Sequence, residues 1–250
     1  MQTEQKYDDL RINGSMVVTG GTFNTVAVNG SATLNGDIHC QQFKINGSCQ
    51  VKGSLKTEKG TVHGNAEIKE DLYVGDFNIF GNATMQGNMF ASNFNVKGAC
   101  DVGESLTAEN IKTYGRLKVG DNCQAEQFYS EGLFEIGDTL KANTVELVIR
   151  NHSKSHVEKI FADTINVKMK EDNTFLKIVK SIFVNSTSRG RLKIEEVHGE
   201  TISLENTKAE IVKGKKVTIG NNCLVELVEY TDTLNVEGNA IVKESRKIKV

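Results

Sequence analysis

Hydrophobic side chains in this chain come in short alternating runs, each broken by a glycine or a polar residue. In "FKINGSCQVKGSL", Phe43 to Leu55, the side chains of Phe43 and Ile45 point one way, those of Cys49 and Val51 likewise, and then Leu55. Period-two alternation over about four to six residues predicts short strands rather than helix. The breaks recur regularly. Glycines stand at Gly30, Gly47, Gly64, Gly81, Gly98, Gly115 and Gly132, each 17 residues after the last. Two residues before most of them sits a β-branched apolar residue: Val28, Ile45, Val62, Ile79 and Val96, with Thr113 and Ser130 continuing the column. Ile12 and Gly14 fit one repeat earlier, at a step of 16. A second glycine column runs Gly36, Gly53, Gly87, Gly103, Gly120 and Gly137. A third column is alanine, at Ala91, Ala108, Ala125 and Ala142, and three residues beyond each stands Phe94, Ile111, Phe128 or Val145.

Three short strands in each 17-residue repeat make a triangular coil with glycine at two corners, where it permits a positive φ or a close backbone approach. Successive coils can stack strand on strand about 4.8 Å apart. The fold expected is all-β: a single-stranded parallel β-helix whose core is a set of columns of like side chains. In it the alanines fill a narrow inward place beside a wide one held by Phe94, Ile111, Phe128 and Val145. Residues 1–9 read as a short tail, 10–146 as the regular solenoid, and 147–250 as its continuation with irregular coils. The step from Ala142 to Ala162 is 20, so about three residues are inserted, with a bulge expected at "NHSKSHVEK" and another beyond Val184. "TLNVEGNAIVKES" then returns to the early form, Val236 and Gly238 matching Ile45 and Gly47. About 14 coils would make a rod of roughly 65–70 Å.

Composition narrows the function. The formal net charge is −2, which makes no electrostatic case for nucleic acid or a membrane surface. From Lys141 onward 19 basic residues face 15 acidic, against 11 and 17 before it, a mild dipole. Proline is absent, as suits a backbone whose N–H groups are used in ladders. No apolar run approaches the roughly 20 residues that span a bilayer, and "MQTEQKYDDL" lacks the form of a signal peptide, so a cytoplasmic location is expected. Five cysteines without a Cys-x-x-Cys pair suggest small core residues; Cys40, Cys49, Cys100 and Cys123 all fall on inward positions.

Catalysis has little to build on. His152 and His156 lie in the expected bulge without a carboxylate pattern for zinc, and His39, His63 and His198 fall on the surface. No phosphate-cradling glycine loop, nucleophile elbow or repeated calcium motif occurs. Catalytic, cofactor-binding and metal sites are therefore expected to be absent. Phe80 and Tyr114, outward beside their glycines, suggest at most a lateral contact.

The expected site of action is at the ends, because a solenoid's terminal coils expose inward side chains and unpaired strand edges. Candidate assembly residues are Leu10, Ile12, Met16 and Val18 at one end and Leu234, Val236, Val242 and Ile248 at the other. The cadence of "VKGACDVGESLTAENIK" and "TYGRLKVGDNCQAEQFY" resembles the bactofilins, bacterial polymer-forming cytoskeletal proteins. The resemblance covers Leu10–Val145 best. It implies a right-handed β-helix and nucleotide-independent, nonpolar filaments joined through the end coils. It also implies scaffolding of cell shape, cell-wall organisation or motility, with self, a second bactofilin or envelope and motility proteins as partners. The core here is longer than in typical members, without Pro-rich tails and without the short apolar N-terminal motif by which some reach the membrane. Membrane contact is thus expected only through partners. The alternatives are a non-polymerising binding rod presenting its irregular second half to a partner, and a β-helix enzyme. For the enzyme, the 17-residue coil departs from the 18 of hexapeptide acyltransferases, and no catalytic cluster suggests a polysaccharide lyase.

Overall fold

The computed structural model describes residues 7–150, 154–170 and 191–249. Among the described residues there is no helix, and the strands lie in parallel ladders, the β-helix that the alternation predicts. They form two compact units, Met1–Gln127 and Phe128–Val250.

The first unit holds β1 (Leu10–Ile12), β2 (Ser15–Val28), β3 (Ser31–Ile45), β4 (Ser48–Val51), β5 (Leu55–Val62), β6 (Asn65–Ile68) and β7 (Leu72–Ile79). It continues with β8 (Asn82–Met85), β9 (Met89–Val96), β10 (Ala99–Val102), β11 (Leu106–Thr113), β12 (Arg116–Val119) and β13 (Cys123–Gln124). Each strand pairs with its counterpart one coil on, β5 with β7 and β7 with β9, so Leu55 faces Leu72 and Leu72 faces Met89 at an offset of 17. Leu10 faces Val26 at the shorter step of 16. Inward residues stack into buried columns such as Leu34, Val51, Ile68, Met85, Val102 and Val119. The wide column runs Val26, Phe43, Gly60, Phe77, Phe94 and Ile111. Gly60 interrupts it for a visible reason: a Cβ there would lie 2.4 Å from the Phe77 ring, which leans into the vacant place. Phe77 in turn stacks on Phe94, with centroids 6.1 Å apart.

The corner glycines are required by contact and not by conformation. In the first glycine column none of Gly30, Gly47, Gly64, Gly81, Gly98 and Gly115 has a positive φ. A Cβ at Gly64 would instead lie 1.9 Å from the Gly47 carbonyl oxygen, and one at Gly47 would lie 2.0 Å from that of Gly30. The same carbonyls accept the corner hydrogen bonds, Asn65 N–H to Gly47 at 2.8 Å for example. In the second glycine column only Gly36 uses the left-handed region, at φ 99°. Side chains bridge the coils from outside. Asn46 donates to Asn29 and Asn29 to Asn13, each at 2.8 Å, while the Asp37, Asp71 and Asn88 side chains accept the backbone N–H of Ser54, Asn88 and Ser105.

After β14 (Gln127–Ser130), the second unit holds β15 (Leu133–Ile149), β16 (Lys154–Met169), β17 (Arg191–Leu204), β18 (Thr207–Ile219), β19 (Leu224–Val236) and β20 (Ile241–Lys247). Its coils differ in length but keep their inward positions. Val145 faces Ile165 at an offset of 20, Ile165 faces Ile202 at 37, and Ile202 faces Val217 at 15. Val217 then faces Leu234 at 17. The three extra residues before Ala162 are present, but "NHSKSHVEK" is not a bulge throughout, since Lys154–Lys159 belong to β16. His152 and Val184 lie outside the described residues. Late corners use a tighter turn, with Asn206, Asn222 and Gly238 at φ 48°, 60° and 61°.

Candidate assembly surfaces at the terminal coils

At the N-terminal end, β1 covers only Val26–Val28 of β2. Met16 and Val18 head the inward columns that continue through Ala32 and Leu34. Met16 is 51% exposed, Val18 and Leu10 are half-buried, and Ile12 is 1% exposed. Ile12 is therefore part of the packed core, and a charge placed there would act on folding before it acted on assembly. Between Met16 and Val18 stands Val17, an outward residue 68% exposed, in a column that continues through Thr33, Gln50, Glu67, Thr84, Asp101 and Lys118.

At the C-terminal end, β20 pairs with Leu224–Tyr230 of β19, and among the described residues no strand pairs with Asp232–Val236 on that side. Leu234 is half-buried there and Val236 is 50% exposed. In the last coil Val242 is half-buried over Val225, while Ile241 and Ile248 are 57% and 43% exposed. Lys243 pairs with Glu226 at 2.8 Å and Lys247 lies 6.0 Å from the Tyr230 ring.

The core columns sit inward. Ala108, Ala125 and Ala142 are buried and Ala91 is half-buried, with Phe94, Ile111, Phe128 and Val145 buried beside them. Ala91 faces Ala108, and Ala142 faces Ala162. Within the first unit the narrow column is not alanine throughout: it begins Phe23, Cys40, Thr57 and Val74. Sequence reading missed Val17 and Ile241. The signal that finds them is an apolar residue in an outward column that is polar in the intervening coils of the first unit.

All five cysteines are buried and unpaired; burial pushes the Cys49 thiol up to about 12 and that of Cys223 to about 11. No group of three or more His, Cys, Asp or Glu among the described residues could hold a metal. The His156 Nδ1 lies 3.3 Å from the Lys193 carbonyl, and His198 stacks on Phe161 with centroids 4.6 Å apart. Phe80 stacks on His63 at 4.7 Å with Lys97 over its ring at 5.1 Å; Lys97 stands between Phe80 and Tyr114 in the same outer column. A further outward stack, Tyr73 on Phe90 at 5.0 Å, was not anticipated. No helix among the described residues is long and apolar enough to cross a membrane.

A parallel ladder of short coils around columns of like side chains is a β-solenoid. Residues 3–90 match the family model described as "Bactofilin: Polymer-forming cytoskeletal". Two curated proteins of Bacillus subtilis (strain 168), both described as uncharacterized, are similar to it. YhbF is 33% identical over 98 residues, 39% of this chain and 37% of YhbF. YhbE is 42% identical over 57 residues, 23% of this chain and 24% of YhbE. The chain thus spans well under half the length of either relative. Among solved structures, the C-terminal domain of Caldicellulosiruptor kristjanssonii tapirin aligns over 98% of this chain and 92% of its own, at 12% identity and a TM-score of 0.32, too low to bear on function.

Proposed function

We propose that this chain is a cytoskeletal scaffold that self-assembles through its terminal coils into filaments, without nucleotide, and serves cell shape, cell-wall organisation or motility. The observation that carries this reading is the chemistry of the two ends. Val17 and Ile241 are exposed apolar residues in an outward column, and Met16, Val236 and Ile248 are exposed beside them. Each half-exposed side chain contributes about 1 kcal/mol when covered, before the costs of association. The polymer-forming family matched over residues 3–90 supports the same reading. On this reading the protein is structural rather than enzymatic, with other copies of itself as first partner and the cytoplasm as its place. Sedimentation and negative-stain microscopy of the purified chain, without nucleotide or metal, test it. Concentration-dependent oligomers or filaments are expected, and a single-copy species at every concentration would end this reading.

A further inference from the structure

Asparagine is followed by glycine at Asn13, Asn29, Asn35 and Asn46. We infer that the fold directs a spontaneous covalent modification to Asn35, whose side-chain amide is lost to water through a cyclic imide formed with Gly36. In such a step the backbone nitrogen of the glycine gives its proton to solvent base and attacks the asparagine Cγ. A C–N bond closes a five-membered imide while the side-chain nitrogen leaves as ammonia. Water then opens one of the two imide carbonyls, leaving aspartate or isoaspartate; the net change is amide plus water to acid plus ammonia. Glycine, without a Cβ, hinders the attack least. The four steps share this chemistry, three of them as Asn-Gly-Ser, so differences among them come from the fold.

Two of the steps are locked. Asn46 donates to Asn29, and Asn29 to Asn13, each at 2.8 Å, so both carboxamides are held along the outer ladder. The nitrogens that would attack are engaged as well: the Gly30 N–H donates to the Ile12 carbonyl at 3.3 Å and the Gly47 N–H to that of Val28 at 3.2 Å. There is no room for the peptide to turn, since a Cβ at Gly30 would lie 2.1 Å from the Gly14 carbonyl oxygen and one at Gly47 2.0 Å from that of Gly30. Reaction at Asn29 or Asn46 must wait for the corner to open. At Asn29 the product is also disfavoured, because an aspartate has no N–H to give Asn13. Asn13 is less restrained: its Oδ1 accepts from Asn29, but nothing lies within 4 Å of a Cβ at Gly14.

Asn35 has none of these restraints. Asn35 and Gly36 are exposed, and among the described residues the Asn35 carboxamide has no hydrogen bond. They stand at a bulge, where Thr19 faces Asn35 and Gly21 faces Ile38, so that Gly36 and Asp37 together oppose Gly20. Toward the next coil the ladder pairs Leu34 with Val51 and resumes at Ile38 with Leu55, leaving Gly36 without a partner in either ladder. A Cβ at Gly36 would meet nothing within 4 Å, and its φ of 99° already lies outside the extended region of a strand. The product is accommodated too. Lys52 follows Val51 as Asn35 follows Leu34, so the new carboxylate stands level with a lysine one coil on. The extra backbone carbon of isoaspartate falls where no ladder has to keep its register.

The folded wild-type chain is held at mildly alkaline pH, sampled over time, and digested; fragment masses place each deamidated residue and separate elution distinguishes isoaspartate. The same incubation in urea gives the rates without the fold. Similar rates at the four steps are expected in urea. In the folded protein Asn35 should keep a rate close to its urea value and Asn13 should come next. Asn29 and Asn46 should fall about tenfold or more below theirs, as the bonds that must first open require. The variant Asn35→Gln, at an exposed position, should lose the fast phase of ammonia release. An Asn35 that stays intact while folded, or reacts no faster than Asn46, would overturn the inference, as would a fast phase that persists in Asn35→Gln.

Discussion

Replacing one corner glycine by alanine separates two physical accounts of why glycine stands there. At Gly64 the backbone has no positive φ, so conformational entropy alone predicts that Gly64→Ala stabilises the fold, by about 0.4–1 kcal/mol. Contact predicts the opposite. The new Cβ would lie 1.9 Å from the Gly47 carbonyl oxygen and 2.6 Å from that of Asn46, so the two coils must separate at this corner. Separation weakens the Asn65-to-Gly47 hydrogen bond at 2.8 Å, and overpacking of a rigid backbone adds strain. A lost bond of about 1 kcal/mol with about 1–3 kcal/mol of overpacking gives a net destabilisation of roughly 2–4 kcal/mol. Gly14→Ala is the control: nothing lies within 4 Å of its Cβ, so the stability of a single copy should not fall. Urea denaturation at low protein concentration measures both, and amide exchange at Asn65 reports the opened corner directly. A Gly64→Ala protein as stable as wild type, with Asn65 still protected, would refute the contact account.

Other substitutions follow from the same structure. Gly60→Ala places a Cβ 2.4 Å from the Phe77 ring and should cost about 1–3 kcal/mol; adding Phe77→Leu should recover part of it, as a double-mutant cycle would measure. Glu131 accepts hydrogen bonds from Lys170, Arg150 and Tyr129, and the first of these most of all lowers its carboxyl from 4.5 to about 2. The unfolded chain then binds the proton more readily, so this stability is present above pH about 4.5 and lost as pH falls toward about 2. Acid titration should therefore destabilise wild type more than Glu131→Gln across that window. The buried thiols should resist alkylation in the folded protein at mildly alkaline pH and react on unfolding, counted by intact mass; rapid labelling of Cys49 or Cys223 while folded would contradict their burial.

The columns were legible because a solenoid writes its packing into the sequence at fixed spacing. Ile45, Val62, Ile79 and Val96 face one another along the ladder as their 17-residue period requires. The reason for the glycines was not legible, since a close carbonyl and a left-handed turn select the same residue. Gly60 was likewise hidden: its partner in the column, Phe77, fills the gap by leaning, and leaning leaves no mark in a pattern of letters. Beyond Ile149 the offsets of 37 and 15 broke the period, so the pairing of Ile202 with Ile165 and with Val217 could not be read off by counting. At the ends, burial depends on which neighbours arrive in space. Ile12 and Met16 look alike as first apolar residues, yet one is buried and the other half exposed.

Those changing offsets have a consequence for how such a protein can be altered. Whatever length separates Ile165 from Ile202, the two meet as neighbours in the ladder, and the register beyond them continues unbroken. Entry and exit of added sequence are thus fixed by the coil beneath, Lys170 donating to the Ile149 carbonyl and Arg191 pairing with Lys154. A passenger whose own ends lie close together can be accommodated there, and each doubling of its length raises the closure cost by only about 0.6 kcal/mol. The corner between β16 and β17 is in this sense a docking port for grafting, where new recognition could be acquired by inheritance or by design without rewriting the columns.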